Sequence, residues 1–495
     1  MIKLSIPVLL LLITSIVGYG QQLGPGVARL PLAQIDVSMP QVTGITHFVP
    51  SGGNLQAALD AARPGDVVEL QAGAVFTGRF NFYNKPDDGK WTIVRTSRHA
   101  ELPYGVQVTP ADSPKMAAIV PPDNLQALDL YPTFGGYTKA RKWRFIGIEI
   151  RPNPAIQSNS NLIKCGANAS WQTTREQAPE DIIFDRCYVH GLTNRDAYRG
   201  IILSSARTAI INSYFSEFHV VGQDSQAVLV ANSPGVILIE NTYLEAAGEN
   251  FMSGGLDLRI PNLVPSDITF RNVYCAKPPR WNPRHPSYDG SRWSVKNLFE
   301  LKMAERVLVE GCVFEHCWVD GQPGFAIQLT PRNQGGANPW ARVTDVTFKN
   351  NEIRNVAAGI NILGTDDLQP SGKAERIAIR GNTIKNLGDP VYGFNGRVFQ
   401  LLSGASFVTI QNNSAISPYT QITAAFDGTP INNLVFTDNI LSRGEGDGGI
   451  RGSGATEGAG ALNLFAPGYV FLRNVIVTNN TSVRSLYPQG NYFAN

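Results

Sequence analysis

Charge is scarce in this chain of 495 residues: acidic and basic side chains make up 17% and nearly cancel, leaving a formal +2. So even a balance supplies no basic field for nucleic acid and no strongly anionic surface. Histidine is limited to six residues with no clustered spacing, and no CxxC pair occurs, so the usual zinc patterns are missing. Cysteine is sparse and odd in number, with five residues at Cys165, Cys187, Cys275, Cys312 and Cys317, which excludes a disulfide framework. Long apolar runs are confined to the first twenty residues. There Lys3 precedes the apolar Leu4 to Val17, and Gly18-Tyr19-Gly20 follows with small residues. This is the pattern of a secretory signal peptide over 1–20, and it places the mature chain in a secreted or periplasmic setting. The run is shorter than the ~20 residues a spanning helix needs. No membrane span is expected, and a monomer is.

What is abundant is turn residues and a repeat. Glycine numbers 48 and proline 32. One phrase, apolar-any-apolar-any-polar, recurs ten times between Ile182 and Val483, marked by Phe184, Ile211, Ile239, Phe270, Val309, Phe348, Ile379, Ile410, Phe436 and Val477. Strand-like phrases at this spacing, with slack taken up between them, are the signature of a stacked β-solenoid. Three residues after each marker stand Cys187, Tyr214, Thr242, Val273, Cys312 and then Asn351, Asn382, Asn413, Asn439 and Asn480. An amide both donates and accepts, so asparagines in one slot of successive coils are expected to link coil to coil. A second strand per coil shows at Arg199 to Ser204, Gln226 to Val230, Asn297 to Lys302, Phe325 to Thr330, Ile360 to Leu363 and Val398 to Leu402. Alternation puts Phe299 and Leu301 inside, and Glu300, Lys302, Gln328, Asn361 and Gln400 outside.

Ahead of the repeats, residues 21–47 are rich in Pro and Gly without a period and read as a linker or loosely attached arm, leaving 48–495 as one elongated domain. Asn54 to Arg63 spaces Leu55, Ala58, Leu59 and Ala62 as a short amphipathic helix, stopped by Pro64-Gly65. Such a helix would cover the open end of the core. Earlier strands are expected at Val67 to Leu70, Thr92 to Arg95, Ala127 to Leu130 and Trp143 to Ile150.

The opening Gly53-Asn54-Leu55-Gln56-Ala57-Ala58-Leu59, the Pro64-Gly65-Asp66 turn, the coil phrases and the asparagine slot together resemble the secreted right-handed parallel β-helix proteins of the pectate-lyase-like superfamily. The resemblance covers roughly residues 45–490, and Gly222-Gln223-Asp224-Ser225-Gln226 with Ala247-Gly248-Glu249-Asn250 is similar to a bacterial branch of it. It implies an all-β fold, a right-handed single-stranded parallel β-helix with a short N-terminal capping helix. It also implies a carbohydrate-active protein.

Three places suit that chemistry. Six residues after the marker the column reads His190, Glu217, Glu245, Ala276, Glu315, Arg354 and Lys385. Like carboxylates on neighbouring coils repel unless a proton or cation lies between them, so Glu217 and Glu245 suggest a carboxyl pair or a calcium site, and the run from Glu245 to Glu249 and Asn250 offers a second set of calcium ligands. The same column also reads as a solvated outer face. The run around Glu249 is similar to the calcium-binding stretch of the chondroitinase B and alginate lyase family, but Ser253-Gly254-Gly255 stands where that family carries its catalytic lysine.

The third place is the insertion before Val309, where seven basic residues (Lys277, Arg280, Arg284, Arg292, Lys296, Lys302 and Arg306) face three acids (Asp289, Glu300 and Glu305). Trp281, Tyr288 and Trp293 are interleaved, a mixture that suits sugar rings bearing carboxylate or sulfate. The tryptophans serve equally to pack the insertion onto the coils. A polyuronate lyase needs a carboxylate neutraliser, a base and an acid. Lys277 or Arg284 as base, Arg280 or a bound calcium as neutraliser and His316 or Tyr288 as acid are the candidates. A further loop, Pro331 to Arg342, brings Arg332 and Trp340, which would wall a cleft over Glu300 and Gln328. The glycine-rich run Gly444 to Gly460 with Glu457 lacks phosphate-loop spacing. The leading expectation is an exported β-helix that acts on or binds acidic polysaccharide, a polysaccharide lyase before a glycoside hydrolase. Its rival is a non-catalytic glycan-binding or adhesive solenoid.

Overall fold

The computed structural model describes residue 24 and residues 26–442 except 87, 133–137, 394, 428 and 430, together with 450–452, 472–473 and 492–494. The signal peptide, the 444–460 run with Glu457 apart from 450–452, and the last repeat around Val477 and Asn480 lie outside these residues.

Among the described residues the chain winds through three parallel sheets of fourteen, thirteen and twelve strands, called here sheets 1, 3 and 2. One coil shows the order: Val343–Lys349 in sheet 1, Glu352–Val356 in sheet 3, Ala358–Leu363 in sheet 2, then Ala374–Arg380 back in sheet 1. All three pair with their counterparts one coil on in parallel register, which makes a parallel β-helix. The sequence shows two strands per coil and the structure has three. Sheet 3 strands escape notice because they are short and carry polar or aromatic outer residues close to a turn. Similarly, the single strand expected over Trp143 to Ile150 is two, Arg141–Ile146 and Ile148–Ile150, broken where Gly147 takes φ 64°.

Inward residues of the three sheets form one continuous core from Val49 to Leu441. Rings stack along it, Phe145 on Phe184 and Phe251 on Phe299 with centroids 4.8 and 5.1 Å apart. Each fully buried Phe contributes about 1.5–3 kcal/mol relative to exposure. At the N-terminal end the helix Leu55–Ala61 starts at Asn54, whose side chain accepts from Ala57 N, and buries Leu55 and Leu59 against that core. All five cysteines are buried and free.

The turn from sheet 1 to sheet 3 needs one residue in the left-handed region. Asn212, Asn241, Asn272, Asn350, Asn412 and Asp438 fill it with φ of 47–58°, as does Gly381 at 65°. Asparagine, aspartate and glycine tolerate this conformation best. The next residue forms the inter-coil column: Asn351 Nδ2 donates to Asn382 Oδ1 at 3.0 Å, Asn382 Nδ2 to Asn413 Oδ1 at 2.9 Å and Asn413 Nδ2 to Asn439 Oδ1 at 2.9 Å. In earlier coils hydroxyls continue it, with Cys187 N donating to Ser213 Oγ and Ser213 N to Thr242 Oγ1.

Ser213, not Tyr214, therefore occupies the slot. Phe184 pairs with Ile210, and Ile210 with Ile239, so the inward marker of that coil is Ile210 and Ile211 faces outward. The reason is the N-terminal arm. Ile35 lies on the outer face of sheet 1 against Ile183, Ala209, Ile211 and Leu238, so both residues of the Ile210-Ile211 pair are buried. The arm is fastened along its length rather than loose. Arg29 Nη2 donates to Asp345 at 2.6 Å, Leu32 N to Asp267 at 2.8 Å, and Arg144 Nη1 to the carbonyls of Val37 and Ser38.

Candidate functional site

Sheet 2 presents a line of polar side chains on its outer face. Strand pairing sets Glu300 beside Gln328, Gln328 beside Asn361 and Asn361 beside Gln400. Parallel strands lie about 4.8 Å apart, close enough for side-chain amides to link. Asn361 Nδ2 donates to Gln328 Oε1 at 2.6 Å and Gln400 Nε2 to Asn361 Oδ1 at 2.9 Å. These amides are nearly buried, with 7% of Gln328 and 9% of Asn361 and Gln400 exposed, because loops rise on either side of them. One wall carries Arg332, held by Asp366 Oδ1 at 2.7 Å and by Asp367, and the other carries Gln322. Between them lies a cavity of about 300 Å³ with Glu300, Lys302 and Thr330 in its floor.

Toward the N-terminus the positions in register with Glu300 are the apolar Met252 and Leu229, and the polar residues shift to a second column three residues earlier on each strand. Arg199 Nε donates to Gln226 Oε1 at 2.7 Å, and Gln226 Nε2 to Glu249 Oε2 at 2.7 Å. Glu249 is wholly buried, its Oε1 has no hydrogen-bond partner among the described residues, and Lys296 Nζ lies 3.7 Å from it. Lys296 also meets Asp224 at 2.5 Å. Burial, then the charges of Glu300 and Asp224, push the Glu249 carboxyl up to about 7. Burial opposes the Lys296 charge, yet Glu249 and Asp224 hold its ammonium above the ordinary value. Next along this column, Asn297 Nδ2 donates to Glu300 Oε2 at 2.9 Å while its own buried Oδ1 has no hydrogen-bond partner among the described residues. The result is a band of polar side chains across seven neighbouring strands, from Arg199–Leu203 to Arg397–Leu402, about 29 Å long, in which the open groove is the part from Glu300 to Leu402. It offers amides for hydroxyl groups, Lys296, Lys302 and Arg332 for anions, and one carboxyl poised near neutrality.

Of the residues singled out in the sequence, Glu300, Gln328 and Arg332 meet here with Glu249. Others do not. Lys277 is fully buried, and its ammonium donates to the carbonyls of Ala246, Ala247 and Gly248 at 2.7–2.9 Å and to Asn250 Oδ1 at 3.1 Å. Burial lowers that ammonium to about 8, but it faces backbone, so it is a clamp on a turn and not a base for substrate. Asn250 spends its amide on Leu244 O and Ala276 O.

Arg280 lies over sheet 3, paired with Glu217 and with Asp289. Arg284 is exposed with Nη1 on Val319 O at 3.3 Å, so Lys277, Arg280 and Arg284 do not converge. His316 also belongs to sheet 3, against Tyr392 Oη at 3.0 Å and Glu315 at 3.4 Å. Trp281 is buried in a cluster with Trp318 and Tyr392, and Trp293 stacks on His219 at 3.8 Å. Trp340 packs with Leu256 and Ile260 and donates Nε1 to Leu263 O. Tyr288 bonds within its own loop, to Ser291 O at 2.5 Å. The aromatic residues of the insertions thus pack loops onto coils and do not line the groove.

The calcium set separates in the same way. Glu217 and Glu245 are on sheet 3, Glu249 is on sheet 2, and Asn250 is committed to Lys277. With Arg280 and His219 on Glu217 and Lys296 beside Glu249, these four residues do not fit one calcium ion. The residues that sequence reasoning left out of the band are Asp224, Gln226, Lys296 and Asn297. Their signal lay in Gly222-Gln223-Asp224-Ser225-Gln226 and in the charge of the insertion.

No protein-family model matches the chain, and no curated protein matches it. Among solved structures it is similar to a pectate lyase (13% identity, 76% of this chain and 82% of that one, TM-score 0.45). It is also similar to a mannuronic acid-specific polysaccharide family 6 lyase from human gut microbiota (12% identity, 90% and 91%, TM-score 0.47). A third is PfbA, a surface adhesin of Streptococcus pneumoniae (11% identity, 86% and 88%, TM-score 0.44). Among the described residues no helix is long and apolar enough to cross a membrane.

Proposed function

We propose that the protein binds an acidic polysaccharide along the sheet 2 groove and acts on it by β-elimination. The observation that carries this reading is a pair of polar columns on sheet 2, Arg199-Gln226-Glu249-Asn297 and Glu300-Gln328-Asn361-Gln400, with Lys296, Lys302 and Arg332 set beside them. Amides that both donate and accept suit ring hydroxyls, and cations at intervals suit carboxylates. Glu249, with its carboxyl near 7 and one oxygen without a hydrogen bond among the described residues, is the proton-transfer group of this reading, taking the proton beside the sugar carboxylate and passing it to the leaving glycosidic oxygen as that bond breaks, with Lys296 or Lys302 the neutraliser. The fold is one that polysaccharide lyases and a surface adhesin share.

A second reading, glycan binding without turnover, is favoured by a specific feature: each of these three cations already faces a carboxylate, at Asp224, Glu300 and Asp366. Purified protein incubated with pectate, alginate and glycosaminoglycans, with and without a chelator, separates the two. Elimination yields new ultraviolet absorbance from unsaturated ends, unchanged by the chelator and slowed at least tenfold in Glu249→Gln. Binding with no new absorbance on any substrate establishes the second reading.

A further inference from the structure

A separate cavity of about 630 Å³ opens on the outer face of sheet 3. Its floor carries Tyr188 and Tyr214 from successive coils, and Tyr243 of the next coil stacks on Tyr214 at 4.3 Å. The Leu192 to Arg195 turn forms one wall, and Arg280 reaches over from the long insertion.

Two carboxyl groups are held in it by construction. The strand pairing slips between Phe215 and Phe218, and Glu217 sits in that slip with φ 60°. Ser216 takes the regular outward place beside His190, so the column read in the sequence was one residue off at Glu217. His316, Asn355 and Asn386 take the same left-handed corner in later coils, so the fold supplies this corner and here it carries a carboxylate. Glu217 Oε2 meets His219 Nε2 at 3.2 Å and Oε1 meets Arg280. Burial works to raise the Glu217 carboxyl, but His219 and Arg280 hold it below its ordinary value. Glu245 is buried, and accepts from Glu217 N at 2.9 Å and Tyr243 Oη at 3.0 Å. Burial, then Glu217, push its carboxyl up to about 7.

Arg195 is the component left over. It lines the cavity, its Nε is buried, and that N–H has no hydrogen-bond partner among the described residues. An unmet buried donor costs about 1–3 kcal/mol, which an anionic oxygen would recover. Two guanidinium groups disfavour a bare cation here, and the Glu217 carboxylate disfavours a multiply charged anion such as phosphate. One carboxylate together with several hydroxyl groups satisfies both conditions.

We propose that this cavity is a second binding site, for a single uronic-acid unit, with the carboxylate on Arg195 and ring hydroxyls donating to Glu217. The ligand class rests on the acidic-polysaccharide reading of the groove, whereas the site rests on the cavity and the unmet Nε–H of Arg195. Calorimetric titration of the full protein with galacturonate, glucuronate and mannuronate trisaccharides tests it. With at least one of them, Arg195→Ala is expected to weaken one binding event at least tenfold, Arg195→Lys less so, and both variants to melt like the parent. A Gln328→Ala, Asn361→Ala double variant leaves that event intact and weakens the groove event. If only the Arg195-sensitive event is found, the groove reading fails and this one stands. If no trisaccharide shows an event sensitive to Arg195, the proposal is overturned.

Discussion

Single residues divide into those that hold coils together and those that face a ligand, and burial with hydrogen bonding separates the two. Lys277 looked like a base because it begins a basic, aromatic insertion. Its four acceptors lie on the preceding coil, at the Ala246 to Asn250 turn, and a linear reading carries no information on which way a long side chain folds. Lys277→Met strands three carbonyls and is expected to cost about 3 kcal/mol or more in thermal unfolding. Full stability with lost activity would instead make it catalytic.

Glu245 gives a pH test. Its carboxyl, at about 7 when folded against 4.5 ordinarily, keeps a proton that the unfolded chain has released. The stability it contributes is present below about pH 4.5 and is lost as pH rises through about 7. Glu217, Tyr243, Tyr214, Tyr188 and Arg280 share its surroundings and keep their own charges in the variant. Glu245→Gln carries no proton to lose, so its stability relative to the parent is expected to climb between pH 5 and 8, by up to about 3 kcal/mol. Urea unfolding at several pH values checks this, and parallel pH profiles would contradict it.

At the scale of elements, the repeat was legible because inward residues of sheets 1 and 2 alternate strongly, and Glu300, Gln328, Asn361 and Gln400 were correctly read as outward. One coil was misread because Ile210 and Ile211 are both apolar, the second being covered by Ile35 of the arm. That slip of one residue displaced Ser213 to Tyr214 and Ser216 to Glu217, showing how a register error reverses faces. The turn column is the element most open to test. Asn382 accepts from the backbone and side chain of Asn351 and donates to Phe348 O and Asn413. Asn382→Ala is expected to cost about 2–3 kcal/mol in urea unfolding. Combined with Asn413→Ala the loss is less than additive, since the two share a hydrogen bond; strict additivity would deny the link.

For the whole molecule, a parallel β-helix turns a column in sequence into a line on a surface, and two lines carry unusual side chains. The sheet 2 line forms the groove, and the sheet 3 line forms the cavity around Arg195. Aromatic residues of the insertions, which composition alone had suggested as sugar platforms, serve as the mortar that fixes the walls. The direct test of the central claim is equilibrium binding of acidic polysaccharides to the parent and to a Gln328→Ala, Asn361→Ala, Lys302→Ala variant with matched thermal unfolding. The account predicts saturable binding of at least one of pectate, alginate or a glycosaminoglycan, weakened at least tenfold in the variant. Equal binding by both proteins, or none by the parent, would contradict it.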